Sequence, residues 1–516
     1  MTDTDEPYCS ACGRPFDDDP MHSQIEADVA QHRQAGQLTA TQGTISTINR
    51  ISVLAPPSEG AAQHLNDEDV SDLEEPFDAG RFANLRSNKT LAVIMATAAA
   101  GGTIAAVRHL RQSGLDVGVI SSPLLAPAAW SRGIRSYSAP AENDPVFLDR
   151  LMSIGSAHPG QILLPSSDET AWLYTLHAER LSQHFCIYQP SVQCMRRMLD
   201  KKLFADAVAS AGLAVIPSWQ PSSLDHLKKL APSLPYPILI KPTTHVHRVR
   251  NDKGLVAHSR EELLRKYQKF VSREEFLAAE KPEADSTLPL LQQFVDVAKE
   301  GVFSVTGFID RTGELFVTRR SVKVFQRSMP IGVGVCFESL PSDPELSLAV
   351  RRLCLELDYF GMFEVEFLHF GDLWAPIDFN PRLFNQVGMD IRRGMPLPLL
   401  ACVDAARQTD ALRYLVQRAQ AEEEYAPAVF CDRFTLRAIL LARTLTGRIA
   451  PDDRAYWLNW LKRNAGNTVD FAADSRDPLP GIIHGLSEIY LGLRAIPRFL
   501  QSTPRQATEI LSEVTL

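Results

Sequence analysis

The stretch GMFEVEFLHFGDLWAPIDFNPR, residues 361–382, decides the fold of this chain, because it reads as two strands joined by a short turn. Successive side chains of a strand point to opposite faces of a sheet. In the first strand this alternation puts Phe and Val side chains on one face and the two glutamates, Glu364 and Glu366, on the other. The segment is therefore predicted to form an amphipathic hairpin with one acidic face.

The returning strand adds oxygen donors to the acidic face. Ile377 and Phe379 are predicted to point to the apolar side, which leaves Asp378 and Asn380 beside Glu366. Carboxylate and amide oxygens suit Mg²⁺, which proteins typically bind through one or two carboxylates together with substrate phosphates. Glu366, Asp378 and Asn380 are thus candidate ligands of Mg²⁺ or Mn²⁺. Taken alone, the hairpin is equally well explained by a polar face that is merely exposed to water.

Further features occur along the chain in an order that is typical of one superfamily. Asp200-Lys201 opens a helix, Lys241 ends the apolar run ILIKP, and QQFVD occupies 292–296. The hairpin then carries Val-Glu-Phe and Asp-Phe-Asn-Pro-Arg. In these motifs, from about residue 89 to residue 400, the sequence resembles the ATP-grasp superfamily. The resemblance implies a two-lobed fold that uses ATP and Mg²⁺ to activate a carboxylate as an acyl phosphate.

The same resemblance implies a set of contacts with ATP. Lys201 and Lys241 would meet the phosphates from two sides as point charges. The segment after the next strand would bind adenine through its backbone and ribose through its last residue. Its candidate residues are Gln293, Phe294, Val295 and Asp296. For Asp296, an ordinary surface position remains an open alternative.

A basic segment, residues 317–334, adds positive charge to the same sheet. Its cationic residues are Arg319, Arg320, Lys323 and Arg327. Positive charge opposite the metal would stabilise the phosphoryl group during transfer. Long cationic side chains also extend over protein surfaces, so we expect only one or two of these four to act. Together with Arg382, whose planar fork of donors suits phosphate or carboxylate, Arg320 and Lys323 are the candidate catalytic residues.

Two features depart from the superfamily pattern. Asp378 stands where glutamate is more common, so its side chain reaches one methylene less far and a second metal ion is in question. The loop after Lys241 reads PTTHVHRVRNDKG and has no glycine before Gly254, whereas the superfamily usually covers the phosphates with a glycine-rich loop. Side chains of this loop would then cover the phosphates, or the loop would cover them poorly.

Patterning predicts α/β and α+β architecture: a doubly wound pre-ATP-grasp domain, the two-lobed ATP-grasp fold and a helical C-terminal extension. The proposed segments are a mobile polar N-terminus, the pre-ATP-grasp domain, the ATP-grasp domain and the helical extension, at 1–86, 87–190, 191–400 and 401–516. The pair Gly101-Gly102 after the first strand superficially suggests a dinucleotide fingerprint. No G-x-G-x-x-G is present, however.

The N-terminal Cys9-x-x-Cys12-Gly resembles half of a zinc ribbon. A tetrahedral zinc site requires four ligands, and His22 and His32 are the nearby candidates. Their spacing is longer than the usual one, so an inert or redox-active cysteine pair is the alternative. Cys9, Cys12 and His22 are the candidate zinc ligands.

Composition limits the class of protein. The formal net charge of −9 argues against a general nucleic-acid binder. The remaining cysteines are scattered without a disulfide framework, which favours a reduced, cytoplasmic protein. The acidic N-terminus does not fit a signal peptide. The uncharged stretch 90–107 reads as strand, glycine turn and helix rather than as a membrane span.

The expected function is an ADP-forming, carboxylate–amine (C–N bond-forming) ligase. Its partners would be a small-molecule carboxylate and amine, with neither nucleic acid nor membrane. The N-terminal segment is a candidate contact for a protein partner, and the oligomeric state stays open. Two alternatives remain: an enzyme that forms carboxyphosphate from bicarbonate, and a non-catalytic nucleotide-binding scaffold. The fold alone does not choose among them.

Overall fold

The computed structural model describes residues 92–500, apart from 98, 122–124, 143, 145, 245, 247–253, 274–287, 297–300, 328–331 and 422–427. Within these residues the strands form three sheets. In this part of the chain, every helix is too short or too polar to cross a membrane.

The first sheet is parallel throughout, in the order β3-β2-β1-β4-β5. Its strands are β1 (Ala92–Met95), β2 (Asp116–Ser121), β3 (Arg135–Ser138), β4 (Gln161–Leu164) and β5 (Phe185–Ile187). The accompanying helices are α1 (Gly101–Gln112), α2 (Val146–Ala157), α3 (Asp168–Leu176) and α4 (Ala178–Leu181). Along β1, Val93 and Met95 belong to one hydrophobic core and Ile94 to another. Both faces of the sheet are therefore covered, as predicted for a doubly wound domain.

Residues 161–169 read from the sequence as one strand, but β4 ends at Leu164, because Ser167 caps α3 in a capping box with Thr170. The cap makes Asp168 the first residue of α3. This carboxylate thereby lies just beyond the carboxyl end of β4.

The helical region after Pro190 is interrupted at Asp200, so Asp200-Lys201 opens a helix as predicted. The region consists of α5 (Val192–Leu199) and α6 (Lys201–Ser210). The Asp200 carboxylate accepts hydrogen bonds from the N–H groups of Lys202 and Leu203, as an N-cap residue does. The Lys201 N–H donates to the Thr243 carbonyl at 2.8 Å. The interruption thus ties the start of α6 to the segment after Lys241.

The second sheet has four antiparallel strands in the order β6-β9-β7-β8. They are β6 (Ser218–Trp219), β7 (Ile238–Lys241), β8 (Leu255–Ala257) and β9 (Leu290–Gln293). Two helices, α7 (Leu224–Leu230) and α8 (Arg260–Arg273), pack on one face. In β7, Ile238 and Ile240 enter the core under these helices. By alternation, Leu239 and Lys241 point to the opposite face.

The third sheet has the order β14-β13-β10-β11-β12-β15-β16. Its strands are β10 (Val302–Ile309), β11 (Phe316–Gln326), β12 (Gly334–Leu340), β13 (Gly361–Phe370), β14 (Leu373–Asn380), β15 (Val429–Cys431) and β16 (Thr468–Asp470). Helix α9 (Pro344–Leu357) joins β12 to β13. The hairpin predicted from 361–382 is present as β13 and β14. Strand β12 was not predicted.

A β-bulge alters the predicted faces of the hairpin. Glu366 pairs with Asp378, but Phe367 pairs with Pro376, so Ile377 is an extra residue on its strand. A bulge of this kind places two consecutive side chains toward the same side. The prediction that Ile377 points to the apolar side is therefore wrong, and Ile377 lines the same cavity as Asp378.

The C-terminal part is mostly helical, as predicted. Its helices are α10 (Val387–Arg392), α11 (Leu397–Ala405), α12 (Thr409–Ala421), α13 (Arg433–Leu445), α14 (Pro451–Arg463) and α15 (Leu479–Leu500). The proposed boundary after residue 400 falls inside α11, which is buried along its whole length. Residues of α11 and α12 share one hydrophobic core with the first sheet. In addition, β15 and β16 extend the third sheet, which the sequence did not indicate.

Candidate active site

A cavity of about 560 Å³ lies between the second and third sheets. Its volume is in the range of small-molecule sites, about 300–1,000 Å³. One wall is formed by the ends of β7 and β9, and the other by β11, β13 and β14. Residues that follow strands of the first sheet, Thr97 and Asp168, close one end.

Three lysines from three different elements line this cavity. They are Lys201 at the start of α6, Lys241 at the end of β7 and Lys323 in β11. All three were predicted from the sequence as site residues. Point charges that approach from several sides suit a polyphosphate, whose negative charge is spread over many oxygens.

Two of these lysines pair with the predicted metal ligands. Glu366 and Asp378 stand directly opposite each other on β13 and β14. Lys323 Nζ lies 3.2 Å from Glu366 Oε1, and Lys201 Nζ donates to Asp378 Oδ1. Matching of opposite charges offsets the cost of removing them from water.

Lys241 has a different environment. Its Nζ donates to Gln292 Oε1 at 3.1 Å. Burial, with the positive charge of Lys201 nearby, lowers the pKa of Lys241 to about 7. The charge of this side chain therefore depends on pH near neutrality and would be favoured by an adjacent anion.

Glu364 is a site residue that the sequence analysis placed on the acidic face but did not select. It is 4% exposed. Its Oε1 accepts hydrogen bonds from Ser304 Oγ at 2.8 Å and from Gln386 Nε2, and its Oε2 accepts from Asn380 Nδ2 at 3.1 Å. Burial, with the negative charge of Glu366 nearby, raises the pKa of Glu364 to about 7. Its spacing of two residues from Glu366 was the signal available in the sequence.

Arg382 lies at the end of the cavity that the first sheet closes. Its Nε donates to Asp168 Oδ1 at 2.7 Å, and its Nη2 donates to Asn380 Oδ1 at 2.8 Å. Thr97, in the turn after β1, lines the same end with a positive φ of 48°. The sequence did not indicate Asp168 or Thr97, because both follow strands of the first sheet, far away in the chain, and only the tertiary structure brings them here.

The pair Gly101-Gly102 has a packing role at this end. A Cβ on Gly102 would lie 2.4 Å from the carbonyl oxygen of Phe384, and one on Gly101 would lie 2.4 Å from the Phe471 ring. The absence of side chains lets α1 approach the chain that follows Arg382. Close packing therefore accounts for the glycines without a bound dinucleotide.

The predicted nucleoside segment is only partly at the cavity. Gln293, Phe294 and Val295 line it, whereas Asp296 is half-buried outside the lining. The N–H of Gln293 donates to the Pro217 carbonyl, and the N–H of Phe294 to the Pro237 carbonyl. These two N–H groups are used by the fold itself. Beside them, apolar side chains form a slot, namely Ile216, Leu239, Val302, Leu368 and Ile377.

The structure does not bring the other basic candidates to the cavity. Arg320 lies within 3.4 Å of Asp343 and over the Trp374 ring. By alternation it points to the face opposite Lys323. Arg319 is buried and donates to the carbonyls of Thr318, Arg393 and Ala419. Arg327 pairs with Glu488 of α15.

The donor set at Glu366, Asp378 and Asn380 fits Mg²⁺ in its chemistry, since it offers two carboxylates and one amide oxygen. Among the described residues, no three acidic, histidine or cysteine side chains converge as a metal site of their own. A metal here would therefore depend on phosphate oxygens for further ligands. The predicted zinc ligands Cys9, Cys12 and His22 lie outside the described residues, so that site stays a prediction.

Comparison with solved structures finds similar folds. The biotin carboxylase domain of Hydrogenobacter thermophilus 2-oxoglutarate carboxylase, in complex with MgADP, ADP and bicarbonate, matches with a TM-score of 0.50 at 14% identity, over 62% of this chain and 70% of that one. Biotin carboxylase from Campylobacter jejuni matches with a TM-score of 0.49 at 16% identity, over 66% and 72%. L-amino acid ligase from Bacillus licheniformis matches with a TM-score of 0.46 at 14% identity, over 61% and 74%.

No protein-family model matches the sequence, and neither does any curated protein. The identities to the solved structures are low, so these likenesses concern the fold. The chain has the ATP-grasp fold, as the order of its motifs implied. The activity has to be inferred from the site.

Proposed function

We propose that this protein is an ATP- and Mg²⁺-dependent ligase that converts a substrate carboxylate to an acyl phosphate and couples it to an amine, with release of ADP and phosphate. One observation carries the proposal. Lys201, Lys241 and Lys323 converge with Glu366 and Asp378 in one cavity between two sheets. This set combines cations for phosphates with oxygen donors for a divalent metal, as phosphoryl transfer requires.

The nucleoside would lie at the apolar end of the cavity. Adenine fits between apolar side chains such as Leu239 and Ile377, next to the backbone after β9. The N–H groups of Gln293 and Phe294 are already used, so we expect Val295 to provide the backbone contact. The phosphates would then extend toward the three lysines.

Binding of the phosphates would exchange ionic partners within the cavity. Lys201 and Lys323, which now pair with Asp378 and Glu366, would turn to phosphate oxygens. Glu366, Asp378 and Asn380 would hold Mg²⁺, which supplies neutralisation of phosphate charge when it is bound. Because each carboxylate would exchange a lysine for the metal, its negative charge would stay compensated throughout.

The carboxylate substrate would bind at the end closed by the first sheet. Arg382 presents its guanidinium there, held in place by Asp168 and Asn380. A carboxylate held beside the γ-phosphate can attack it directly, so catalysis would rest on positioning and on charge stabilisation. Lys323 is placed to stabilise charge on the transferred group. Arg320 has no part in this proposal.

Product analysis tests the proposal. Purified protein with ATP and Mg²⁺ is offered a panel of carboxylates, including bicarbonate, each with and without amines and hydroxylamine. We expect ADP and phosphate as products, and transfer of one heavy oxygen from labelled carboxylate to the released phosphate. Formation of AMP and pyrophosphate, or unlabelled phosphate from a completed ligation, would contradict the acyl-phosphate route. Turnover with bicarbonate alone would favour carboxyphosphate formation, and binding without any turnover would favour a scaffold.

A further inference from the structure

Glu364 occupies the centre of a hydrogen-bond network beneath the cavity. It stands on β13, with Thr306 of β10 on one side and Asn380 of β14 on the other. Three protein donors reach its carboxylate: Ser304 Oγ, Gln386 Nε2 and Asn380 Nδ2. A carboxylate has about four acceptor positions, so most of its capacity is already used within the protein.

This arrangement determines which way two amides point. Both oxygens of Glu364 accept hydrogen bonds from protein donors, so the carboxylate acts as an acceptor, and Asn380 and Gln386 both turn their NH₂ groups toward it. The oxygen of each amide then points away from Glu364. For Asn380 this oxygen accepts a hydrogen bond from Arg382 Nη2 at 2.8 Å. Since Arg382 can only donate, it independently requires the same orientation.

The orientation of Gln386 follows from the same kind of hydrogen bond. Gln386 lies at the end of the cavity where the carboxylate substrate is proposed to bind. Its side chain lines the cavity and is 2% exposed. Its nitrogen is bound to Glu364, so its oxygen is the end that remains for a ligand. A reversed amide would place NH₂ groups where a metal ion or a hydrogen-bond donor is to bind, and it would leave Glu364 without its partners.

We propose that Glu364 is a positioning residue that holds Asn380 and Gln386 with their amide oxygens toward the cavity. Asn380 thereby offers an acceptor to the metal and to Arg382. Gln386 offers an acceptor to a substrate group that carries N–H or O–H, which suits an amine. The role of Gln386 rests on the proposed function, whereas the orientation of the two amides does not.

Other roles of Glu364 explain the contacts less well. A metal ligand or a general base would need an oxygen that is open to the reacting atoms. Both oxygens of Glu364 instead accept hydrogen bonds from side chains of the protein. A purely electrostatic role would not require three donors on three different elements.

Five variants test the inference, one of which is the single variant Asn380→Asp. Glu364→Gln can no longer accept from both amides. Glu364→Asp keeps the charge but is one methylene shorter, so it cannot reach both amides. Glu364→Gln combined with Asn380→Asp reverses donor and acceptor, and it keeps an oxygen facing Arg382. Glu338→Gln is the matched control, because Glu338 stands on β12 of the same sheet, accepts from Trp460 of α14 and lies outside the cavity lining.

The first readout is the denaturation midpoint, which needs no ligand. We expect Glu364→Gln and Asn380→Asp each to lower the midpoint, and the combined variant to recover most of the loss. The second readout is binding of a non-hydrolysable ATP analogue with and without Mg²⁺. We expect Glu364→Gln and Glu364→Asp to reduce the Mg²⁺-dependent gain in affinity at least tenfold, with metal-free affinity within about threefold of the parent. The combined variant should regain the Mg²⁺ dependence.

Two results would overturn the inference. One is a combined variant that is no more stable than the sum of the single variants predicts, since the hydrogen-bonded pair would then not be coupled. The other is Glu364→Asp with unchanged Mg²⁺ dependence, because charge alone would then suffice. If stability couples as expected but the parent protein shows no turnover, the orientation stands and only the ligase proposal fails.

Discussion

Lys323 Nζ lies 3.2 Å from Glu366 Oε1, although the two residues stand on strands separated by the width of β10. The contact is possible because both side chains point to the same face of the third sheet and lean across the strand between them. On the next strand of the hairpin, Asp378 is paired with Lys201. The candidate metal ligands are thus paired with the same lysines that are placed to bind phosphate.

Replacement of Glu366 by alanine is the first prediction. It removes a metal ligand and leaves Lys323 without its partner, so ATP turnover should fall by at least about 100-fold, as for the loss of one preorganised electrostatic contact. Circular dichroism and the denaturation midpoint should show a folded protein. Asp378→Glu, which installs the residue that is more common in the superfamily, should retain activity. A fully active Glu366→Ala protein would refute the metal-site assignment.

The second prediction concerns pH. With a pKa of about 7, Lys241 is largely uncharged above neutrality, and a neighbouring polyphosphate should raise that pKa. Nucleotide binding at pH 8 should therefore take up a proton, and affinity should fall by up to about tenfold per pH unit above 7. At pH 6 the lysine is already charged, so uptake should be small. Calorimetry in buffers of different ionisation enthalpy measures this uptake.

Two variants make the pH experiment specific. Lys241→Met should abolish the proton uptake, whereas Lys202→Met, at an exposed lysine outside the cavity, should leave it unchanged. Equal proton uptake by the parent and Lys241→Met would assign the titration to another group.

The third prediction concerns the contact between Asp168 and Arg382. Asp168→Asn removes the charge that holds the Arg382 guanidinium, so the free energy of unfolding should fall by about 2 kcal/mol, the usual range for a hydrogen bond to a charged group. KM for the carboxylate should rise while the affinity for ATP changes little. Denaturant titration and steady-state kinetics measure the two effects.

A matched control is available on the same domain. Asp149 also pairs with an arginine, Arg180, but both side chains are about half exposed or more. Exposed pairs contribute little, so Asp149→Asn should leave stability and KM nearly unchanged. If both aspartate variants behave alike, Asp168 does not position Arg382.

The fourth prediction concerns Gly102. Alanine is a better helix former than glycine by up to about 1 kcal/mol, so local propensity alone predicts a more stable protein. The added Cβ would, however, lie 2.4 Å from the Phe384 carbonyl oxygen. We therefore expect Gly102→Ala to lower stability by about 1–3 kcal/mol, as overpacking does, and to raise KM for the carboxylate. Gly466→Ala, where a Cβ would meet nothing within 4 Å, is the control. Stabilisation by Gly102→Ala would disprove the packing role.

Much of the fold followed from local patterns. The alternation of residues 361–382 predicted the hairpin, and the uncharged stretch 90–107 predicted a strand, a glycine turn and a helix. Short strands such as β3 and β16 were not predicted from the sequence, because three or four residues carry too little periodicity to be recognised.

The chain order of Lys201, Lys241, Glu366 and Asp378 was enough to predict the class of fold and residues on both walls of the cavity. These residues lie in or beside regular elements, where spacing alone determines which face a side chain occupies. Only the tertiary structure showed that Asp168 and Thr97 close the cavity and that Arg320 faces away from it. Such contacts join residues far apart in the chain, and they depend on how separate sheets pack, for which local sequence carries no signal.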